Sequence, residues 1–182
     1  MGNARKHFRV IRPGADPQSS DPRCRGPRRV WLTAVVFLAV AAVGCGGAQP
    51  AAVLPSRSQG AVEIRLECAA TPEERQRGLM FRSNLGEGEG MLFILRGEDN
   101  PSFWMKNTYV SLDIFFLDKD GRVVDLVERL RPCPEDPCPV YASSAPCQYA
   151  LEVAAGTASR HGIKKGDRIE LRLPRGTDCA PK

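Results

Sequence analysis

Arg77, Lys106, Asn107 and Asp113 are the polar members of stretches that are otherwise apolar. A charged or amide side chain set among core segments must be paired or must face a cleft, because burial without a partner costs several kcal/mol. Two arrangements meet that demand. In the first, the four residues converge at one end of a β domain as a candidate binding site: Arg77 and Lys106 hold a carboxylate or other anion, and Asn107 and Asp113 fix its orientation. In the second they tie strands together, with Asp113 pairing Arg77 or Lys106 and no ligand involved.

Other chemistries are less well supplied. Nucleophilic catalysis by Ser or Cys usually needs an adjacent base, and the sole histidine beyond the leader, His161, reads as a solvated residue in a short helical turn. Glycosidase-like work could use two carboxylates such as Asp113 and Glu152, although Glu152 in a strand is more simply an edge or salt-bridge residue. Met80, Met91 and Met105 form a soft set that could take Cu(I) together with Cys68, although methionine more commonly fills gaps in a small core beside residues such as Phe81, Phe93 and Trp104. No glycine-rich phosphate loop stands between a strand and a helix. No metal site and no cofactor is expected.

Seven cysteines are many for 182 residues. Cys133 and Cys138 flank a four-residue loop, Pro-Glu-Asp-Pro, that a disulfide could close. The pairing of Cys68, Cys147 and Cys179 stays open. A zinc site is weaker, since the chain holds only two histidines and no second close cysteine pair.

The elements that must position these residues follow from periodicity. Residues 62–68 alternate apolar and charged, a strand with one wet face. Thr71-Pro72-Glu73-Glu74 supplies an N-cap, a proline at the first helical position and a capping-box carboxylate, which predicts a short helix to about Arg77, stopped by Gly78. Residues 90–95 are a continuous apolar run, a strand covered on both sides. Residues 103–108 and 112–118 read as the next strands, and Lys119-Asp120-Gly121 turns the second into residues 122–130. Prolines enforce a long loop over 132–146. Residues 148–153 and 168–173 complete the strands, with one helical turn over 156–161 closed by Gly162. The fold class is mainly β: a small single-domain β-barrel or sandwich with one or two short helices.

Ahead of that domain, residues 30–43 are an apolar run of secretory length, too short to span a bilayer comfortably, preceded by Arg23, Arg25, Arg28 and Arg29. The following Ala42-Val43-Gly44-Cys45 resembles a lipobox, with Ala42 where Leu is usual, so Cys45 is expected to carry the lipid. Arg28-Arg29 also faintly resembles a twin-arginine export signal. The formal charge of +5 belongs to this leader: beyond it stand 18 basic and 19 acidic residues, a net of −1. That balance excludes a broad phosphate-binding surface, and nucleic acid is not an expected partner. The chain divides into 1–29, a basic n-region or a start assigned too early; 30–44, the signal-peptide hydrophobic region; 45–60, the lipidated Cys45 and a flexible Gly/Ala/Ser/Pro tether; 61–174, the β domain; and 175–182, a C-terminal tail.

The segments Glu74-Arg75-Gln76-Arg77-Gly78-Leu79-Met80-Phe81-Arg82, Gly90-Met91-Leu92-Phe93, Phe103-Trp104-Met105-Lys106-Asn107-Thr108, Leu112-Asp113-Ile114, Tyr149-Ala150-Leu151-Glu152 and Gly162-Ile163-Lys164-Lys165-Gly166-Asp167 resemble, in order, the uncharacterised prokaryotic family called domain of unknown function 192. Two mild departures are Ser111, where that family commonly has Pro, and Ala150, where it has Val. The resemblance implies a small β-barrel-like domain, often exported, and no agreed activity. The expectation is a lipid-anchored module on the periplasmic face or the cell surface. It would bind the bilayer through its N-terminal lipid and an unknown small ligand or envelope protein. The alternative is a small carboxylate-dependent hydrolase acting on an envelope substrate.

Overall fold

The computed structural model describes residues 48–57, 60–177 and 179. The leader, the lipobox and Cys45 lie outside them. Seven strands form one curled sheet in the order β6 (Val123–Leu130), β5 (Leu112–Leu117), β8 (Cys147–Ala154), β3 (Glu89–Asp99), β2 (Val62–Ala69), β1 (Ala51–Leu54) and β9 (Glu170–Arg172), and β4 (Ser102–Trp104) and β7 (Val140–Ala142) form a separate ribbon. This is the expected mainly β architecture, a half-barrel with two short helices.

The alternating segment becomes β2 (Val62–Ala69), whose inward Ile64 and Leu66 are buried while Glu63, Arg65 and Glu67 face water. Helix α1 (Pro72–Arg77) begins as its sequence requires: the Thr71 hydroxyl accepts from the Glu74 N–H, and the Glu74 carboxylate accepts from the Thr71 and Ala70 N–H groups. Gly78 ends it at a φ of 45°. The helix is the crossover that lets β3 (Glu89–Asp99) run parallel to β2, the one parallel pair in the sheet.

β3 is flanked by β2 and by β8 (Cys147–Ala154), and β8 in turn by β5 (Leu112–Leu117), which pairs with β6 (Val123–Leu130). β5 is buried at all six positions. Gly90 is required where β3 meets β8, because a Cβ there would stand 2.7 Å from the Glu152 carbonyl oxygen.

Alternation sends side chains to two cores. One gathers Leu54, Ile64, Leu92, Phe115, Leu151, Val153 and Ala158, and is closed by α2 (Thr157–His161) and by β9 (Glu170–Arg172). The other gathers Leu79, Met91, Phe93, Met105, Ile114, Phe116 and Ala150, on the face covered by the turn after α1 and by the ribbon of β4 (Ser102–Trp104) and β7 (Val140–Ala142).

Several expectations need correction. The tether over 45–60 is not wholly a tether: Ala51–Leu54 is β1, paired on one side with β2 and on the other with β9. Ala52 and Leu54 are fully buried, so the segment's small apolar residues are sheet interior rather than linker. Residues 103–108 are not one strand, because the chain leaves β4 after Trp104 and turns. The proline-rich loop over 132–146 contains β7, which is what β4 pairs with. His161 is buried, not solvated: α2 turns Thr157, Ala158 and His161 inward, and His161 Nδ1 is 3.3 Å from the Ser56 hydroxyl. Five residues are too few for that face to show as a periodicity.

Two disulfides close the domain. Cys133–Cys138 is the bridge expected from the short loop, and Cys68 pairs with Cys179, tying the tail to β2. Cys147, buried at the start of β8, lies in neither bridge. Burial pushes its thiol up to about 11.

Candidate functional site

The sequence-predicted residues separate in space. Asp113 is fully buried, on the face of β5 that packs with Val153 in the first core. Its carboxylate accepts the Arg129 N–H at 2.8 Å and the Ala158 N–H at 2.9 Å. It pairs neither Arg77 nor Lys106. Instead it caps α2 from a neighbouring strand, where Gly156 offers no side-chain cap of its own. It also holds Arg129 at a φ of 56°, where the pairing of β5 with β6 slips register.

Asn107 is a turn residue. At a φ of 54°, a region asparagine tolerates better than most residues, its carbonyl accepts the Phe81 N–H at 2.7 Å and its N–H donates to Cys133 at 3.0 Å. Its backbone thus joins the turn after α1 to the disulfide loop. Lys106 is half-buried: its ammonium donates to Asp136 at 2.5 Å and lies 5.6 Å from the centre of the Trp104 ring.

Arg77, at the end of α1, is exposed and makes no ion pair or side-chain hydrogen bond among the described residues. It borders two adjoining depressions. One, of about 370 Å³, also touches Lys106, Glu73 and Met80. The other, of about 310 Å³, is a pocket with a distinct chemistry. Its walls are Phe93, Leu95, Phe103 and Trp104, with Phe93 and Phe103 edge to face at 5.0 Å. Arg75, Gln76 and Arg77 line it from α1, Leu79 and Met80 from the turn that follows, and Thr108 from the turn after β4. The Arg75 guanidinium is engaged elsewhere, donating to the carbonyls of Ala70 and Ile94.

Glu152 lines the pocket as well. It is not an edge or salt-bridge residue, because β8 is an interior strand and the side chain is only 4% exposed. Cross-strand partners Met91 and Ile114 place it on the second core's face, opposite to Asp113. No protein group among the described residues hydrogen-bonds to its carboxyl or pairs with it. Desolvation pushes it up to about 8, so at neutral pH it is mainly the protonated acid. The sequence offers Glu152 only as a candidate partner of Asp113 and more simply as an edge or salt-bridge residue, because a lone carboxylate in an apolar strand carries no local sign of whether the strand is interior.

Asp113 and Glu152 therefore do not share a cleft, and the two-carboxylate scheme drawn on them is not available. Met91 and Met105 are buried in the second core, and Cys68 is consumed by its disulfide. Those groups pack rather than present themselves to a metal.

Curled sheet, parallel crossover and a pocket lined by one buried carboxyl define a class of small half-barrel domains with a partly open, mainly apolar site. The chain belongs to the family described as an uncharacterized ACR, domain of unknown function 192, whose model matches residues 54–171. It is similar to a UPF0127 protein of Thermococcus sibiricus, 30% identical over 119 residues that make up 64% of this chain and 72% of that protein. Two crystal structures share the fold. A protein of unknown function from Novosphingobium aromaticivorans is 38% identical at a TM-score of 0.59, covering 66% of this chain and 83% of its own. A candidate transcription regulator from Sinorhizobium meliloti is 34% identical at a TM-score of 0.62, covering 68% and 94%.

Proposed function

We propose that the protein is an exported, lipid-anchored module of the cell envelope that captures a small ligand in the Glu152 pocket. One observation carries the binding role: a carboxyl group 4% exposed opens on a cavity and has no partner among the described residues. A buried ionisable group left unpaired costs stability, and pockets that hold small molecules typically set such a group among apolar walls. The basic, apolar leader ending at Cys45 supports export and anchoring. Two disulfides in the domain support an oxidising compartment. The near-neutral balance of residues beyond the leader gives no footing for nucleic-acid binding.

Ligand capture is tested by a thermal-shift screen of the full chain against small envelope metabolites, run beside Glu152→Gln. A compound that raises the melting temperature of the parent and not of the variant supports the proposal, and a screen with no stabilising compound overturns it. Anchoring is tested by fractionation: Cys45→Ser should move the protein out of the detergent phase and remove the mass of a diacylglyceryl group. An unchanged partition would sink that part.

A further inference from the structure

We infer that the Glu152 pocket takes a small zwitterion, its ammonium group seated on Glu152, its body against Phe93, Phe103 and Trp104, and its anionic end at Arg77. This rests on the reading of the pocket as a ligand site. Three features lead to it, and each points to a different part of the guest.

The first is the floor. Glu152 is buried on the sheet, with no cation among the described residues placed against it: Arg75 donates to main-chain carbonyls, Lys106 is held by Asp136, and Arg77 is exposed at the end of α1. Among the described residues, β3 lends the pocket Phe93 and Leu95, and β4 and the turn after it lend Ser102, Phe103, Trp104 and Thr108, so Arg75 and Arg77 are the other charged groups described on its lining. A ligand ammonium is the complement that the described residues do not provide.

The second is the wall. Aromatic faces attract cations and apolar bodies alike, and offer an anion nothing. The third is Arg77, a guanidinium without an ion pair among the described residues, suited to a carboxylate. A cavity of about 310 Å³ suits a molecule on the scale of an amino acid rather than a polymer.

Seating a cation ionises Glu152. The proton that burial keeps on the acid at neutral pH leaves for solvent as the ion pair forms, so binding and proton release are coupled.

The test is calorimetric titration of the full chain near pH 7 in two buffers of different ionisation enthalpy. The probes are L-phenylalanine, 2-phenylethylamine, which lacks the carboxylate, and 3-phenylpropionate, which lacks the ammonium. Phenylalanine should bind with release of nearly one proton, phenylethylamine about tenfold more weakly with the same release, and phenylpropionate not at all. Arg77→Gln should bring phenylalanine to the affinity of phenylethylamine and leave phenylethylamine unchanged. Glu152→Gln should abolish binding of both while keeping the parent's circular dichroism. Phenylpropionate binding without proton release would overturn the zwitterion and leave the pocket standing as a site for an anion held by the neutral acid. Failure of all three probes would also overturn the zwitterion, and the pocket itself falls only if the metabolite screen is empty as well.

Discussion

A carboxyl set among apolar side chains without a partner resists ionisation, and in Glu152 burial pushes the group up to about 8 from an ordinary value of 4.5. The folded state therefore holds a proton that the unfolded chain releases. That contribution is complete below the ordinary value and is lost as pH rises through the raised one. The stability of the ligand-free protein should fall between about pH 4.5 and pH 8 by at most about 5 kcal/mol from this group, and Glu152→Gln should flatten the fall. Denaturant unfolding of both proteins across that window measures it; parallel pH profiles would refute the assignment. Asn107 gives a second residue-scale expectation. If its role is the left-handed turn at a φ of 54°, Asn107→Gly is nearly neutral and Asn107→Ala costs about 1 kcal/mol. Equal and large losses would mean that the amide itself is used. The polarity of Asp113, Asn107 and Lys106 within greasy motifs was legible in the sequence, but not the direction each faces. Asp113 and Glu152 look alike in a sequence, and only strand register puts them on opposite sides of the sheet.

Elements were most legible where local rules act alone. α1 is written in Thr71, Pro72 and Glu74, and β2 in its strict alternation. Those missed depend on partners: β1 is four residues with Ala, Ala and Leu buried, a pattern that a linker shares, and β4 and β7 are three-residue strands that exist only against each other. Asp113 shows the same dependence between elements. It supplies α2 with an N-terminal acceptor across the sheet and fixes the slip in β6 at Arg129. Asp113→Ala should cost about 3 kcal/mol or more, since two amides lose a charged acceptor, and Asp113→Asn about half of that. Hydrogen exchange gives the decisive detail: the Ala158 and Arg129 amides should lose protection ahead of β3 and β8. Uniform loss along the sheet would show that Asp113 does not act on these two segments.

At the scale of the molecule, the two disulfides differ far more in what they enclose than in chemistry. Cys68–Cys179 joins residues separated by 111 positions, and Cys133–Cys138 spans only 5. Constraining the unfolded chain stabilises the fold in proportion to the logarithm of the loop, up to about 5 kcal/mol for the long bridge and about 2 for the short one. The long bridge also holds a half-buried residue packed on the first core against a buried residue in the tail. The double variant Cys68→Ser with Cys179→Ser should therefore unfold at clearly lower denaturant than Cys133→Ser with Cys138→Ser. The latter should instead disturb the turn that receives the Asn107 N–H at Cys133, next to the Lys106 and Trp104 side of the depression that adjoins the pocket. Chemical denaturation under non-reducing conditions separates the two, with mass spectrometry of the intact chain to establish the bridges. If the short-bridge variant were the less stable, the tail would be a passive end. The order expected here would make Cys179, beyond a domain drawn to stop at 174, a part of the fold.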